Sequence, residues 1–496
     1  MGNYVGIDLG TAFSAVSYID ETGRPTIVNN DRDANITPSV VAEYKGELVV
    51  GEPARRQWGN DDRIAAARFK RDMGTTATHS IGDKQFTPTD LSSIVLNALR
   101  HQTETKIGEV TEAVVTIPAN FAHEARDATI EAAKLAGLNL QYIINEPTAA
   151  ALYYAYESGG ELSGTYAVFD LGGGTFDVSI IGVSGSDVEV KASNGIHKLG
   201  GDDFDRAVWQ LIAEKYEAAT GSALTYDEFS LNDAEDAKKK ISERKRTTVE
   251  IEREFIDISR LEFEDAVASL LEQIEMMCEA TLDEAGMQPA DITAVFLAGG
   301  STRVPAVASV AEKVFKQTPT ASANVDEVVA LGAALYAAYK SDGAGLSDIQ
   351  KSSVAQLKVA ERTTCYFGTI SIATSEGRGD HLANSILIKK GESIPCSVTQ
   401  TFFTAGDNQR AIDIKITESK SEETDPKFVK IIHEEEMLLP EGRPRGQEIE
   451  VTYAYDENQV MKAYFKDVAT GQSTEISLSM VQDKPSQSPI DKFLLE

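Results

Sequence analysis

The residues best suited to chemistry lie in a short segment, 167–179, where an aspartate and three glycines interrupt an apolar run. Asp170 ends the apolar run, the glycine triplet 172–174 follows, and Thr175 leads into a second β-rich run. This pattern predicts a strand, a tight turn and another strand. Adjacent glycines cost backbone entropy and bury nothing, but they let backbone N–H groups come close to a bulky anion. By itself the segment fits a glycine-rich hairpin that binds nothing equally well.

A second copy of this pattern lies at the start of the chain. Asp8 and Thr11 stand there in the same order, with Leu and Gly between them, as Asp170 and Thr175 do in the first segment. The duplication predicts two similar lobes, each offering a hairpin to one shared ligand. Backbone amides would bind its phosphates. The aspartates would repel phosphate and therefore act through a hydrated cation, for which Mg²⁺ is the natural candidate.

Length, charge and cysteine content exclude several classes of protein. The 496 residues suffice for two or three domains, and 47 basic against 78 acidic residues give a net charge of −31. This charge repels nucleic acid and anionic membranes, so we expect neither as a partner. Three scattered cysteines have neither metal nor disulfide spacing. With no signal peptide and no membrane-spanning run, we expect a cytoplasmic protein.

The elements that must position these residues alternate between strands and helices in the first part of the chain. A buried-type strand at 113–118 is followed by an alanine-rich helix at 124–137 and a strand at 140–144. This alternation predicts an α/β sheet covered by helices. Beyond 362 the chain has short β-rich segments separated by turns, which is typical of a small all-β sandwich. The predicted divisions are a first domain at 1–345, an interdomain linker at 346–361, a β-sandwich at 362–480 and a C-terminal tail at 481–496.

Four blocks of the sequence together resemble the signature blocks of the seventy-kilodalton heat-shock chaperones, the family of DnaK. The blocks are 7–11, 145–151, 170–177 and 297–305. Each is weak alone, but four in this order are highly specific. The resemblance implies a two-lobed, actin-like α/β ATPase domain followed by an all-β sandwich that binds peptides. Actin and the sugar kinases share the hairpins but not the Asn-Glu-Pro-Thr block or the β domain.

The resemblance also implies a catalytic set, carried over by matching position. It implies that Lys70 orients the attacking water, that Glu146 and Asp177 lie near this water, and that Thr175 belongs to the same set. Without this context Lys70 would be an ordinary surface lysine. Its register against the family block favours the catalytic role.

The nucleotide and its magnesium ion would be bound by further matching residues. Asp8 and Asp170 match carboxylates around hydrated Mg²⁺. The residues implied to wrap the phosphates of ATP or ADP are Gly10, Thr11, Ala12, Gly172, Gly173, Gly174 and Thr175. Those implied to bind the adenosine are Glu235, Lys238, Lys239 and Ser242 on one wall, and Gly299, Gly300, Ser301, Arg303 and Asp326 on the other.

In the β domain, the resemblance implies an apolar groove for peptide. By register it would be lined by Ile372, Phe402, Ala405, Ile412 and Ile414. An extended peptide would bind there through main-chain hydrogen bonds and one apolar pocket. The alternative is that these residues form the sandwich core. No helical lid follows the sandwich, so we expect fast peptide dissociation.

Three positions depart from the family pattern. Ala12 replaces a common hydroxyl residue, and only a modest effect on nucleotide binding is expected. Tyr142 stands where the family usually has an arginine that helps to receive the J-domain co-chaperone, which puts that coupling in doubt. In the linker, the stretch 354–361 stands in place of the family's acidic, leucine-rich segment, so Leu357 and Val359 are expected to dock on the ATPase domain only weakly.

The favoured function is an ATP-dependent, DnaK-like chaperone that hydrolyses ATP with Mg²⁺ and transiently binds unfolded apolar segments. Its implied partners are unfolded polypeptides, a J-domain co-chaperone and a nucleotide exchange factor. The alternative is a non-hydrolysing scaffold or co-chaperone, locked by nucleotide and serving one dedicated partner. A sugar or metabolite kinase is disfavoured because it leaves residues 362–480 without a role.

Overall fold

The chain divides into two compact units, Met1–Val359 and Ala360–Asp483. The structure is a computed structural model that describes residues 3–60, 62–159, 161–185, 187–321, 324–341, 343, 345–355, 357–375, 379–456 and 460–478. The predicted tail, 481–496, lies outside the described residues. Both tryptophans, Trp58 and Trp209, lie in the first unit, so intrinsic tryptophan fluorescence reports on that unit alone.

The first unit is a mixed α/β structure, as predicted. Its strands are β1 (Asn3–Asp8), β2 (Phe13–Ile19), β3 (Pro25–Ile27), β4 (Thr37–Pro38), β5 (Val40–Tyr44), β6 (Glu47–Val50), β7 (Ala65–Ala67), β8 (His79–Ile81), β9 (Lys84–Phe86), β10 (Val110–Ile117), β11 (Leu140–Asn145), β12 (Ser163–Leu171), β13 (Phe176–Ser184), β14 (Asp187–Ile196), β15 (Arg246–Ile251), β16 (Glu254–Ser259), β17 (Ala294–Ala298), β18 (Thr320–Ala321) and β19 (Lys358–Ala360). Its helices are α1 (Glu52–Asn60), α2 (Pro88–Ile107), α3 (His123–Leu135), α4 (Glu146–Glu157), α5 (Gly201–Thr220), α6 (Leu231–Glu243), α7 (Arg260–Ala266), α8 (Ala268–Glu284), α9 (Pro305–Phe315), α10 (Val328–Lys340) and α11 (Asp348–Val354).

Two larger sheets in this unit repeat one arrangement of strands. The first has the order β11-β10-β1-β2-β3, with β4 pairing β2, and the second has the order β18-β17-β12-β13-β14-β19. In the first sheet, β1 runs antiparallel to β2 and parallel to β10. In the second, β12 runs antiparallel to β13 and parallel to β17 in the same way. We call the parts built on these sheets the first lobe (residues 3–145) and the second lobe (residues 163–321).

Local sequence accounts for the elements beside the hairpins. The second part of strand β10, residues 113–117, is buried and mostly apolar because it is covered on both faces, which is usual for parallel strands. Helix α2 begins at a capping box, in which Thr87 and Asp90 bind each other's backbone N–H groups, and Pro88 takes the first helical position. These signals are local, which is why the pattern of the sequence predicts the elements.

Helices α4 and α10 form a layer whose core is shared by the two lobes. The buried cluster in this layer includes Tyr4 of the first sheet and Tyr166 of the second, together with alanines of both helices. The helices approach so closely that a Cβ on Gly332 of α10 would overlap the backbone carbonyl of Ala149 in α4. Glycine is therefore required at this crossing.

The segment predicted as an interdomain linker is structured up to Val359. Ser347 caps α11, and its hydroxyl accepts a hydrogen bond from Gln350 N at 3.3 Å. Leu357 is buried in the core layer of α4 and α10. Strand β19 then adds to the edge of the second lobe's sheet beside β14. The boundary between the two units thus lies close to the end of the predicted segment.

The described part of the second unit consists of strands and one short 3₁₀ turn. The strands are β20 (Tyr366–Ser375), β21 (Gly379–Ile388), β22 (Cys396–Phe403), β23 (Ala411–Ser419), β24 (Lys430–Leu438), β25 (Glu448–Tyr455), β26 (Met461–Asp467) and β27 (Ser473–Ser477). They form two four-stranded sheets, β21-β20-β23-β24 and β22-β25-β26-β27. One buried cluster contains residues of both sheets, and Tyr453 Oη of the second donates to Gly368 O of the first at 2.8 Å. The two sheets therefore pack face to face around one core.

No helix within the described ranges combines the length and the apolar character that crossing a membrane would require.

Candidate functional site

The two glycine-rich turns meet where the lobes face each other. A Cβ on Gly174 would lie 2.5 Å from Thr11 Cγ2, and a Cβ on Gly173 would lie 2.7 Å from Ala12 Cβ. Real Cβ atoms do not approach this closely, so the turns can touch only because these positions are glycines. The predicted facing of the two hairpins is therefore present in the structure.

A cavity of about 590 Å³ opens beside these turns, between the lobes. Its size lies within the range of small-molecule sites. It brings together nearly all the residues predicted to act on a nucleotide: Asp8, Gly10, Thr11, Ala12, Lys70, Glu146, Asp170, Gly172, Gly173, Thr175, Glu235, Lys238, Lys239, Ser242, Gly299, Gly300, Ser301, Arg303 and Asp326. Two predicted residues lie just outside it. Gly174 contacts Thr11, and Asp177 is buried on β13 opposite Asp170.

Lys70 lies on the wall of the cavity in a 3₁₀ turn, Phe69–Asp72. Its Nζ is 2.7 Å from Glu146 Oε1, and both residues are buried. Glu146 is the first residue of α4, where the positive end of the helix dipole favours a carboxylate. Lys70 Nζ also lies 5.7 Å from the centroid of the Phe121 ring. These contacts fix the ammonium group in one direction inside the cavity.

Several carboxylates crowd the same end of the cavity. Burial, and after it the charge of Glu146, raises the pKa of Asp8 to about 7 against the opposing effects of Lys70 and a hydrogen bond from Thr116. Burial also raises the pKa of Asp170 well above its usual value, and Glu146 is again the largest charged contributor. Buried acids that repel each other in this way are stabilised by a cation.

Hydrated magnesium fits this group of acids. Asp8 and Asp170 offer hard oxygen donors, the type that Mg²⁺ prefers. Within the described residues, no three Asp, Glu, His or Cys side chains are close enough together to ligate one ion directly. A magnesium ion bound here would therefore keep most of its waters, as the resemblance implies.

Helix α6 provides one side of the outer cavity, and its charges are paired. Lys238 Nζ lies 2.7 Å from Asp205 Oδ1 and donates to Gly201 O at 3.1 Å. Glu235 is bound by Lys239 at 2.7 Å and by Arg55 of the first lobe at 2.6 Å. Glu235, Lys238 and Lys239, paired in this way, all line the cavity.

The opposite side of the outer cavity is formed by the segment after β17 and by the loop before α10. Arg303 Nη2 donates to Asp326 Oδ2 at 2.6 Å, and Ser301 Oγ donates to Gly172 O at 2.8 Å. The second contact ties this wall to the glycine turn of the second lobe. The residues predicted to bind the adenosine thus line one cavity from two separate parts of the chain.

The sequence did not single out five other residues that line the cavity: Arg55, Trp58, Arg68, Asp202 and Asp205. The two aspartates fall in an acidic run, 202–205, at the start of α5. That run was visible in the sequence as a Gly-Gly-Asp-Asp motif. Nothing in the local sequence of Arg68 marks it as a partner of that run.

In the second unit, the five predicted groove residues separate into two sets. Ile372 is 55% exposed on β20, opposite the exposed Leu382 on β21. Ala405 is exposed as well. Phe402 and Ile412 pack against the sandwich core, and Ile414, with 0% exposure, is part of it. For Ile414 the structure agrees with the alternative of a core residue, because no surface of its side chain is left for a peptide.

Tyr142, which replaces the family's usual arginine, lies beside a cation. Lys340 Nζ lies 5.0 Å from the centroid of the Tyr142 ring, and the rings of Tyr336 and Tyr339 lie 5.6 and 5.7 Å from the same ammonium. A positive charge is thus present at this place in the fold although the arginine is not.

One comparison with known proteins covers almost the whole chain. The family model described as Hsp70 protein matches residues 4–81 and 76–496. The match includes both units and each of the four sequence blocks. The chain belongs to the Hsp70 family.

Proposed function

We propose that this protein is an ATP-dependent chaperone that hydrolyses ATP with Mg²⁺ and transiently binds unfolded apolar segments. The observation that carries the proposal is the meeting of two glycine turns, a buried lysine and a group of carboxylates in one cavity. Membership of the Hsp70 family supports it, since members are generally ATPases with chaperone roles.

Transfer of a phosphoryl group to water depends on positioning and charge neutralisation more than on covalent chemistry. Backbone N–H groups of the turns at 10–12 and 172–175 would donate to the phosphates. Magnesium, bound through water by Asp8 and Asp170, would neutralise part of the phosphate charge. Lys70 would orient the attacking water and stabilise negative charge on the γ-phosphate. Glu146, which positions that ammonium, would also accept a hydrogen bond from the water.

The second unit would bind the client segment. Ile372 and Leu382 form an exposed apolar pair on neighbouring strands, where a soluble sandwich would normally carry polar residues. A strand-like peptide laid against such a surface gains both main-chain hydrogen bonds and apolar contact. We also propose that a J-domain co-chaperone and an exchange factor act on the first unit, as is typical of the family.

The test is ATP turnover by the full chain with Mg²⁺, with and without an unfolded apolar peptide. Turnover that the peptide stimulates supports the proposal. Tight nucleotide binding without turnover would replace it with the scaffold function. Transfer of phosphate to a sugar in a coupled assay would replace it with a kinase.

A further inference from the structure

Arg68 has an unusual backbone for a residue with a long side chain. It lies between β7 and the 3₁₀ turn that carries Lys70, with φ 61° and ψ 11°. This left-handed region favours glycine, so the backbone of an arginine there is strained.

The guanidinium group of Arg68 is bound on two sides. Its carbon lies 4.4 Å from the centroid of the Trp58 ring, on α1 of the same lobe. Its Nε lies 2.6 Å from Asp202 Oδ1, and its Nη2 lies 3.9 Å from Asp205 Oδ2, both on α5 of the second lobe. The Arg68 side chain is 15% exposed and that of Asp202 is 4% exposed, so water screens this ion pair weakly. Arg68 therefore joins the two lobes through a desolvated contact.

Asp202 is in turn attached to the glycine turn of the second lobe. Its backbone N donates to Gly173 O at 2.8 Å, and the preceding residue, Gly201, donates to Gly172 O at 3.0 Å. Movement of Asp202 must therefore move the turn. On the other side, Arg68 lies two residues before Lys70 on a short rigid turn. The ion pair thus links the lysine of one lobe to the phosphate turn of the other.

We propose that Arg68 is a positioning residue that clamps the two lobes over bound nucleotide and slows its release. The inference rests on the proposed function, since it assigns a task to a residue of the same cavity. Other interlobe pairs include Arg71 with Asp203 at 2.8 Å and Arg55 with Glu235 at 2.6 Å. Arg68 differs from both of these arginines in being stacked on Trp58 and held in the left-handed backbone region. Its guanidinium is therefore already in place before the lobes close.

The experiment measures release of a fluorescent ADP analogue from the full chain by stopped flow. Arg68→Ala and the isosteric Asp202→Asn should each release it about tenfold faster, equal to about 1.4 kcal/mol. The effects in the double variant should be less than additive, because both substitutions remove the contact between Arg68 and Asp202. Each substitution also removes one longer contact of its own, Arg68 with Asp205 or Arg71 with Asp202, both at 3.9 Å. Arg56→Ala is the matched control: this arginine is on α1 near Trp58 but is exposed and pairs with Glu52 of its own helix. Its release rate should equal that of the wild type.

A second measurement needs no nucleotide. Amide hydrogen exchange at Gly201 and Asp202 should be faster in Arg68→Ala than in Arg56→Ala, because the clamp no longer holds that turn. Release and exchange rates within twofold of the wild type, with an unchanged thermal melt, would overturn the inference. Additive effects in the double variant would also overturn the inference.

If Arg68→Ala does not fold, the release and exchange rates of Asp202→Asn are judged by the same criteria. If the wild type binds no nucleotide, the proposed function fails, and the exchange rates still decide whether Arg68 clamps the lobes.

Discussion

Lys70 Nζ lies 2.7 Å from Glu146 Oε1, and both side chains are buried in the wall of the cavity that the two glycine turns close. A buried ion pair is costly unless it has a task or further partners. Here the pair fixes a cation at the point where negative charge would develop on a phosphate. We therefore expect Lys70 to act on the rate of the chemical step more than on nucleotide affinity.

Lys70→Ala should lower ATP turnover by about 10²- to 10³-fold, the usual effect of removing one preorganised group that stabilises the transition state. The dissociation constant for ADP should change much less. Turnover is measured by phosphate release and affinity by calorimetric titration. Lys198→Ala is the control, because this lysine is exposed, does not line the cavity and pairs with Asp72 at 3.4 Å. Equal losses in the two variants would contradict a catalytic role.

Gly174→Ala should weaken nucleotide binding at least tenfold. The new Cβ would lie 2.5 Å from Thr11 Cγ2, so the two turns must separate, at a cost of about 1–3 kcal/mol. Gly172→Ala tests the same turn without this clash, because the nearest atom to its Cβ, Thr175 O, is 3.9 Å away. The melting temperature, followed by tryptophan fluorescence, should fall for Gly174→Ala only. A similar fall in both variants would show that any side chain added to this turn destabilises the protein, and that the close contact between Gly174 and Thr11 is not the cause.

Asp205 should make the stability of the first unit depend on pH. Burial raises its pKa to about 6, against the attraction of Lys238 and together with repulsion from Glu235 and Asp202. In an unfolded chain its pKa is about 3.9. Between these pH values the folded protein retains the proton and the unfolded chain has lost it. The contribution of Asp205 to the free energy of unfolding therefore falls as pH rises from about 4 to 6 and is constant above.

Asp205→Asn removes this dependence. The difference between variant and wild type should change by up to about 3 kcal/mol between pH 4 and pH 6, from two pH units at about 1.4 kcal/mol each. Urea unfolding at pH 4, 5, 6 and 7, followed by tryptophan fluorescence, measures it. The control, Asp33→Asn, changes an exposed aspartate and should run parallel to the wild type. Parallel curves for Asp205→Asn as well would show that its carboxyl titrates normally.

In the second unit, Ile372→Ser should affect peptide binding, whereas Ile414→Ala should affect stability. Ile372 is exposed, so its replacement should weaken binding of an apolar peptide, measured by fluorescence anisotropy, and leave the melting temperature unchanged. Ile414 is a core residue, so its truncation should destabilise the sandwich by about 2–5 kcal/mol. Loss of peptide binding in a stably folded Ile414→Ala variant would instead support the prediction that Ile414 lines the peptide groove.

Sequence patterns predicted the elements whose signals are local. The strands β10 and β11 and the helix α3 follow from apolar runs and from the residues that end them. The turn at 172–174 was recognisable from its three adjacent glycines, and the turn at 8–11 because it repeats the same order of Asp, Leu, Gly and Thr. Alternation in β20 and β23 identified apolar positions but not which of them stay at the surface, and this separates Ile372 of β20 from Ile414 of β23.

The parts that sequence could not predict depend on contacts between distant segments. Arg68 and Asp202 are in different lobes, and neither has a local pattern that points to the other. The segment before Val359 is polar enough to be taken for a linker. Its few apolar side chains, such as Leu357, nevertheless complete a core formed mostly by other helices.

The layer of α4 and α10 determines whether the first unit can be divided into fragments that fold. Its core contains side chains from both sheets. At Gly332 the two helices are so close that a Cβ atom would overlap the backbone of Ala149. A fragment comprising one lobe would expose half of this layer to solvent, and it would lack the strands that cover the other half. We therefore expect neither lobe to be expressed as an independent folding domain, and complementation between separately produced lobes to require refolding them together.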